Sequence, residues 1–393
     1  MLKSCIVNSE KINRRLPQNF LLVFSFLLVI ILTGCSHTSP YLRSGRIAAD
    51  DPAYSNSDIL QRFLFIGDAG EPQSPEPVLD LLESWASELP QNTQLIFLGD
   101  NLYPSGMVPQ DDPWRTTAEN RLGKLTAVVT ESKSRGVFLP GNHDWHQGLD
   151  GILRQQQFIN DQLKQDSSFL PPDGCIGPVV QDIAGIRLIY LDTDFWLSDI
   201  ETSPECPVTA KDSAVVKIRT ALQGAGERPV FFLAHHPLLT YGPHGGFFDW
   251  KDHLFPLTRL IPHFYLPLPI VGSLYPLVRW NLIKSSEDLV SEEYGKLIAD
   301  LESAFAVNPP LLYAAGHDHN LQVLSGGDAA GYILISGAGS QKKLTNVDDG
   351  KRTLFAHLHS GFMAVDVLKD HRIILQVVEP GPHEVVFRKW LKE

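Results

Sequence analysis

Cysteine is scarce in this chain, with four among 393 residues. They stand far apart, at Cys5, Cys35, Cys175 and Cys206. Without closely spaced thiolates, a structural Cys-based zinc site is excluded. Positive charge is in deficit too: 33 Lys and Arg face 45 Asp and Glu, a formal net charge of −12. Lys3, Lys11, Arg14 and Arg15 lie in the first 34 residues, so the remainder is more acidic still. An acidic surface repels phosphate backbones, which argues against long nucleic acid as a partner. A small phosphate ester stays open if bound metals supply local positive charge. The apolar run from Phe20 to Leu32 falls short of the roughly 20 residues that span a bilayer. Internal repeats and low-complexity blocks are absent. What remains is ordinary globular composition, 43% hydrophobic and 20% charged, with ample apolar material for a core.

The amino terminus reads as an address. Basic residues lead into the apolar run, which ends in Leu32-Thr33-Gly34-Cys35. This resembles a bacterial lipoprotein processing site, and the resemblance implies a signal peptide over 1–34 and a lipid on Cys35. The expected location is a bacterial membrane, on its periplasmic or cell-surface face, with Ser36 after the cysteine favouring the outer membrane of a Gram-negative cell. Residues 35–60 read as a polar tether. With Cys5 removed and Cys35 acylated, Cys175 and Cys206 remain. Both lie in Pro/Gly-containing loops, and an oxidising compartment allows them to pair or to stay free.

From residue 61 onward short apolar runs alternate with helix-like stretches. The runs are Arg62–Ile66, Gln94–Leu98, Gly136–Leu139, Pro229–Ala234 and Leu311–Ala315. Helical stretches lie near Val78–Leu89, Trp114–Lys133 and Asp212–Leu222. Short apolar runs bounded by turn residues are buried strands, and their alternation with helices predicts an α/β layered core. Later segments, Arg187–Leu191, Leu321–Leu324, Tyr332–Ser336, Gly361–Leu368 and His371–Val378, predict a second, partly antiparallel sheet. Residues 247–283 are rich in aromatics and proline, and read as an insertion in a domain spanning 61–393. Four prolines between Pro262 and Pro276 exclude one regular helix there.

Each of the five runs delivers a short polar motif: Gly67-Asp68-Ala69-Gly70, Gly99-Asp100-Asn101-Leu102-Tyr103, Gly141-Asn142-His143-Asp144, Ala234-His235-His236-Pro237 and Gly316-His317-Asp318-His319. In open α/β sheets, ligands bind beyond the carboxyl ends of the strands, so these groups are expected on one rim. Carboxylate, imidazole, amide and phenolate donors suit iron, zinc or manganese. Their number exceeds what one ion needs. Two metals sharing a bridging carboxylate fit the count and suit phosphoryl hydrolysis.

In this order the motifs resemble the calcineurin-like metallophosphoesterase superfamily. Tyr103, three residues after Asp100, resembles the purple acid phosphatase type, and GDNLYPSG and GHDHNLQVL resemble its small, tartrate-resistant acid phosphatase-like form. Leu191-Asp192-Thr193 agrees with that group. The resemblance implies a four-layer α/β/β/α sandwich with two mixed β-sheets. Asp68, Asp100, Tyr103 and His319 would hold a first metal, expected to be Fe(III). Asp100, Asn142, His235 and His317 would hold a second, Fe(II), Zn(II) or Mn(II), with Asp100 bridging. A metal-bound hydroxide would attack phosphorus, with His143 and His244 as the catalytic, substrate-facing histidines. Ala69 stands where many members outside the purple type place a metal-binding His, and Tyr103 compensates. His236, His146, His357 and His359 are read as supporting or surface groups.

The expected activity is acid phosphatase-like hydrolysis of phosphate monoesters. A phosphodiesterase or lipid-phosphate hydrolase on the same scaffold is the first alternative. A non-catalytic, lipid-anchored binding lipoprotein is the alternative from another class. The expected partners are a small phosphate-ester substrate and the membrane, through the lipid on Cys35.

Overall fold

The computed structural model describes residues 36–43, 54–165, 167–248, 250–259, 265–268, 271–274 and 285–393. The signal peptide read over 1–34 and the acylated Cys35 lie outside those residues. The chain divides into two units, one holding Phe248–Val278 and the other Ser36–Phe247 with Arg279–Glu393.

The larger unit runs through β1 (Tyr41–Leu42), β2 (Ile59–Ile66), α1 (Pro77–Ser87), β3 (Thr93–Leu98), α2 (Arg115–Glu131), β4 (Arg135–Leu139), α3 (Gly148–Leu163), β5 (Val179–Ile183) and β6 (Ile186–Tyr190). It continues through α4 (Asp194–Leu197), α5 (Lys211–Gln223), β7 (Val230–Leu233), α6 (Glu292–Phe305), β8 (Leu312–Ala315), β9 (Leu321–Ser325), β10 (Tyr332–Ser336), β11 (Thr353–His357), β12 (Phe362–Leu368), β13 (Ile373–Val378) and β14 (Val385–Lys392). One sheet has six strands in the order β14-β13-β12-β2-β3-β4; the other has eight, in the order β1-β11-β9-β10-β8-β7-β6-β5. Both are mixed. In the first, β2, β3 and β4 are parallel while β12 joins β2 antiparallel. In the second, β6, β7, β8 and β10 are parallel and the flanking strands antiparallel.

The alternation of side chains along each strand builds the layers. Phe63 and Phe65 of β2 meet Phe231 and Leu233 of β7 in a cluster between the sheets. Leu64 and Ile66 point the other way, onto Val78, Leu82, Leu122 and Leu125 of α1 and α2. Phe232 and Ala234 likewise turn to Ile218, Leu222, Leu297 and Leu301 of α5 and α6. The result is the expected helix–sheet–sheet–helix sandwich. Pro77 opens α1, where its missing N–H costs nothing, and the buried Val78, Leu82, Trp85 and Ala86 form one stripe. Ser291 caps α6 by accepting from the Tyr294 amide. Each large side chain buried in these clusters contributes about 1.5–3 kcal/mol.

Two features differ from the sequence reading. The five motif-bearing strands do not share a sheet: β2, β3 and β4 lie in one, β7 and β8 in the other. Within the range read as a tether, residues 36–43 belong to the fold. Tyr41 and Leu42 pair with Ala356 and Phe355 as an edge strand, and His37 donates its amide to the Val347 carbonyl at 3.0 Å. Residues 44–53 lie outside the described set.

Cys175 and Cys206 form a disulfide with Cα atoms 5.4 Å apart. The smaller unit, within the aromatic stretch 247–283, contains a short helix at Trp250–Leu254 and turns at Pro256–Arg259 and Val271–Ser273. Among its described residues Tyr265, Leu266, Val271 and Leu274 are exposed. Among the described residues of the chain, no helix is long and apolar enough to cross a membrane.

Candidate metal centre

All seven candidate ligands leave the carboxyl ends of their strands, and three do so in an unusual backbone conformation. Asp68, Asp100 and His317 have φ of 58°, 53° and 71°. This left-handed region costs a non-glycine residue roughly 1–3 kcal/mol. The cost is borne where the chain turns sharply off each strand and carries a donor into the cluster. Gly141 and Gly316 make room. A Cβ on Gly141 would lie 2.4 Å from Asp100 Oδ1, and one on Gly316 would lie 2.5 Å from Asp68 Oδ2.

Asp68, Asp100 and His319 each offer a ligand atom within 4.8 Å of one another. Tyr103 lies among them. Its hydroxyl donates to Asp68 Oδ1 at 2.9 Å and lies 3.0 Å from His319 Nε2. Beside this group stand His235 and His317, with ring centres 5.3 Å apart. His235 Nε2 is 3.1 Å from Asn142 Oδ1 and 3.5 Å from Asp100 Oδ1. Asp100 therefore lies close to both halves of the cluster.

Each imidazole has one nitrogen committed elsewhere, and this fixes which nitrogen is left for a cation. A carbonyl oxygen only accepts, so the ring nitrogen facing it carries the hydrogen. His235 Nδ1 donates to the Leu98 carbonyl at 2.8 Å, and His319 Nδ1 to the Lys343 carbonyl at 2.5 Å. His317 does the reverse, donating from Nε2 to the Glu287 carbonyl at 3.1 Å. Nε2 of His235 and His319, and Nδ1 of His317, are the nitrogens a cation would take. Such backing is what orients metal-binding histidines.

The electrostatics fit a cation. Asp68 and Asp100 are buried, and among the described residues neither forms an ion pair with Lys or Arg. Burial alone would raise the Asp100 carboxyl. His235, His143 and the hydrogen bond from the His143 amide outweigh it and hold Asp100 at about 2. Burial opposes a charge on His235, yet Asp100 and Asp68 draw it up to about 9. His317 moves the other way: burial, then His244, His236 and His235, press it well below the usual imidazole value and leave it a neutral donor. Two buried carboxylates, a phenol, an amide oxygen and three imidazoles make an oxygen- and nitrogen-rich set suited to iron, zinc or manganese.

His143 sits on the rim, with Nδ1 donating to the Pro104 carbonyl at 2.6 Å and its amide donating to Asp100 Oδ1 at 3.0 Å. His244 packs its ring 4.0 Å from that of His317. The structure thus brings the seven candidate ligands together with His143 and His244. His236 is no surface group: it is fully buried, between Thr193 Oγ1 at 2.8 Å and Glu287 Oε2 at 3.2 Å. Its ring nitrogen also falls within 4.8 Å of those of His235 and His317. The Asp192-Thr193 pair acts through such support, with Asp192 accepting from Trp145 Nε1 at 2.7 Å. His146 is exposed, and His357 pairs with Glu379 at 2.7 Å.

Several contributors carry no signal as isolated residues. Asp144 accepts from the amides of Gly141, Asn101 and Leu102 and from Gln155, tying two motif loops together. Burial, then the charge of Asp100, pushes its carboxyl up to about 6. Glu287 and Asp288 reach the site from the far side of the aromatic stretch. Asp144 stands inside a motif and was there to be found; Glu287 and Asp288 have no motif around them.

A family model described as calcineurin-like phosphoesterase matches residues 61–262, just over half of the chain. The match ends before His317 and His319. Among solved structures, the chain is similar to GAP50, described as the anchor in the inner membrane complex of Plasmodium, at 16% identity. That likeness covers 84% of this chain and 88% of the other, with a TM-score of 0.49. It is also similar to the purple acid phosphatase PPD1 from yellow lupin (Lupinus luteus) seeds, at 12% identity over 84% of this chain and 53% of that one, TM-score 0.49. A third likeness is to PhoD, at 10% identity over 82% and 67%, TM-score 0.45. No curated protein sequence matches.

Proposed function

The chain belongs to the calcineurin-like phosphoesterase family, a family of phosphate-ester hydrolases, and on that premise we propose that it hydrolyses phosphate monoesters at a pair of cations. The observation that supports this reading is the position of Asp100, in contact with His235 on one side and grouped with Asp68 and His319 on the other. Asp68, Asp100, Tyr103 and His319 would hold one ion. Asp100, Asn142, His235 and His317 would hold the second. Bound there, the ions supply an activated water and positive charge for the phosphoryl oxygens.

The residues of the chain do the rest. Asp100 keeps the two halves at fixed separation. The carbonyls of Leu98, Glu287 and Lys343 hold the three ligand imidazoles in register. His143, with Nδ1 donating to the Pro104 carbonyl, presents Nε2 to the ester and, as the imidazolium, would donate a hydrogen bond or a proton to the leaving oxygen. His244 contacts the phosphoryl group from the side of His317. The phenol of Tyr103 favours Fe(III) for the first ion.

We further propose that the protein is exported and carries a lipid on Cys35. The Leu32–Cys35 pattern supports this, and the Cys175–Cys206 disulfide agrees with an oxidising compartment. The deciding experiment is elemental analysis of purified protein, followed by assays of a generic monoester and a generic diester after loading with iron, zinc or manganese. Two ions per chain and a preference for the monoester support the reading. A preference for the diester, or turnover with one ion per chain, overturns it.

A further inference from the structure

One carboxylate near the candidate metal centre is met by three cations. Arg121 reaches Glu71 Oε1 at 3.0 Å, Lys343 reaches Oε2 at 3.5 Å, and Lys342 pairs with Oε1 as well. Among the described residues, Glu71 is the only carboxylate in ion-pair contact with any of the three. A chain with a formal net charge of −12 thus gathers three positive charges around one negative charge at this spot. Arg121 alone neutralises Glu71, and it is fixed by more. Its guanidinium donates to the Tyr103 carbonyl at 3.1 Å and lies over the Trp114 ring. The two lysines are surplus to that ion pair.

The backbone holds this surplus beside the candidate ligands. Gly339 donates its amide to the Gly67 carbonyl at 3.0 Å, and Ser340 its hydroxyl to the Glu71 carbonyl at 2.9 Å. The short helical turn Gln341–Lys343 follows, and its Lys343 carbonyl is the one that backs His319. The Lys343 ammonium lies 4.4 Å from the centre of the Tyr103 ring. His143 packs against that same ring, with centres 4.5 Å apart. The side chains of Lys342 and Lys343 are 54% and 31% exposed, so an anion in solution can approach both. Like charges gathered at one carboxylate repel one another, and a second anion relieves that repulsion. Two surplus charges suit a phosphate group, which carries about −1.5 to −2 at neutral pH, better than a single carboxylate.

We propose that Lys342 and Lys343 form a subsite for a second phosphate group, so that the preferred substrate is a small bisphosphorylated molecule. This rests on the phosphate-ester reading of the site. One phosphate ester occupies the cation pair and the other meets the lysines. An ammonium group donates and phosphate oxygens accept, so the contact is a charge-assisted hydrogen bond. The subsite selects the substrate and takes no part in breaking the ester.

The test uses the full metal-loaded protein with the monophosphates and bisphosphates of propanediol, butanediol and hexanediol, a series that varies the spacing between the two phosphates. For the best-fitting spacer, wild-type kcat/KM is expected to favour the bisphosphate by about fivefold. That exceeds the statistical advantage of carrying two equivalent esters. Lys342→Gln and Lys343→Gln are each expected to reduce the preference, and the two together to abolish it. Added salt should shrink it in the wild-type protein, and this arm needs no variant to fold. A wild-type protein that prefers no bisphosphate beyond the statistical advantage overturns the proposal. A preference that survives the double substitution, or that salt leaves unchanged, also overturns it. A protein that turns over none of these esters instead overturns the phosphate-ester reading itself.

Discussion

The Tyr103 hydroxyl donates to Asp68 Oδ1 at 2.9 Å, joining a residue at the end of β2 to one in the loop after β3. The same hydroxyl touches His319 from the other sheet. Its proton is held tightly, because burial and then the charges of Asp100 and Asp68 raise the phenol well above its ordinary value. A trivalent cation among these groups reverses that balance and favours the phenolate. Protein loaded with iron under oxidising conditions is therefore expected to absorb visible light, and Tyr103→Phe to lose the band while keeping its circular dichroism. Colourless wild-type protein containing ferric iron would remove Tyr103 from the ligand set.

The position of Asp100 leads to an unequal pattern of metal loss. Asp100→Ala is expected to lose both ions. His319→Ala should lose the first and His317→Ala the second, each leaving one equivalent by elemental analysis. Turnover should fall by at least about a hundredfold in all three, since outer partners alone are worth 10–100-fold. Loss of a single ion in Asp100→Ala would show that the carboxylate serves one side only.

Acid stability should report on Glu71. Burial raises its carboxyl, but Lys342, Lys343 and Arg121 outweigh it and bring the group below 4.5. A carboxylate lowered on folding contributes stability above its unfolded value and loses it as pH falls through the folded one. Glu71→Gln is therefore expected to be less stable than wild type at pH 7. The difference should shrink steadily below pH 4.5, as read from urea midpoints across pH. It should also narrow in high salt, because Lys342 is more than half exposed. A gap that persists unchanged at pH 3 would assign the effect to packing.

Arg62 and Asp366 face each other across β2 and β12, 2.8 Å apart, with Tyr54 and Gln376 also donating to the carboxylate. Removing one member of a buried pair strands the other, at a cost of about 3–5 kcal/mol. Asp366→Ala should lose that much by denaturant titration and still bind two ions once folded. A loss under about 1 kcal/mol would mean that solvent reaches Arg62 readily.

The sequence exposed the chemistry more fully than the architecture. Asp68, Asp100, Asn142, His235 and His317 follow apolar runs, and turn residues after buried strands are a local signal. That β7 and β8 belong to a different sheet from β2 to β4 is not local, because pairing partners lie up to hundreds of positions apart. Nor can the tautomers of His235, His317 and His319 be read, since they depend on carbonyls of Leu98, Glu287 and Lys343 brought near only by folding. The helix Glu292–Phe305 does carry a local signal, with Tyr294, Leu297, Leu301 and Phe305 at helical spacing. The helix Gly148–Leu163 was harder, since Gly148, Gly151 and a run of three glutamines mute its apolar stripe.

Residues 36–43 give the amino end of the described chain a mechanical role. Ser36 Oγ accepts from the Val347 amide at 2.9 Å, and two residues earlier Thr345 exchanges hydrogen bonds with the backbone of His319. A pull applied at Ser36 would reach the backbone of His319 through this short run of hydrogen bonds. The bearing of His319 relative to Ser36 is thus set within the fold, by the contacts of residues 345–347.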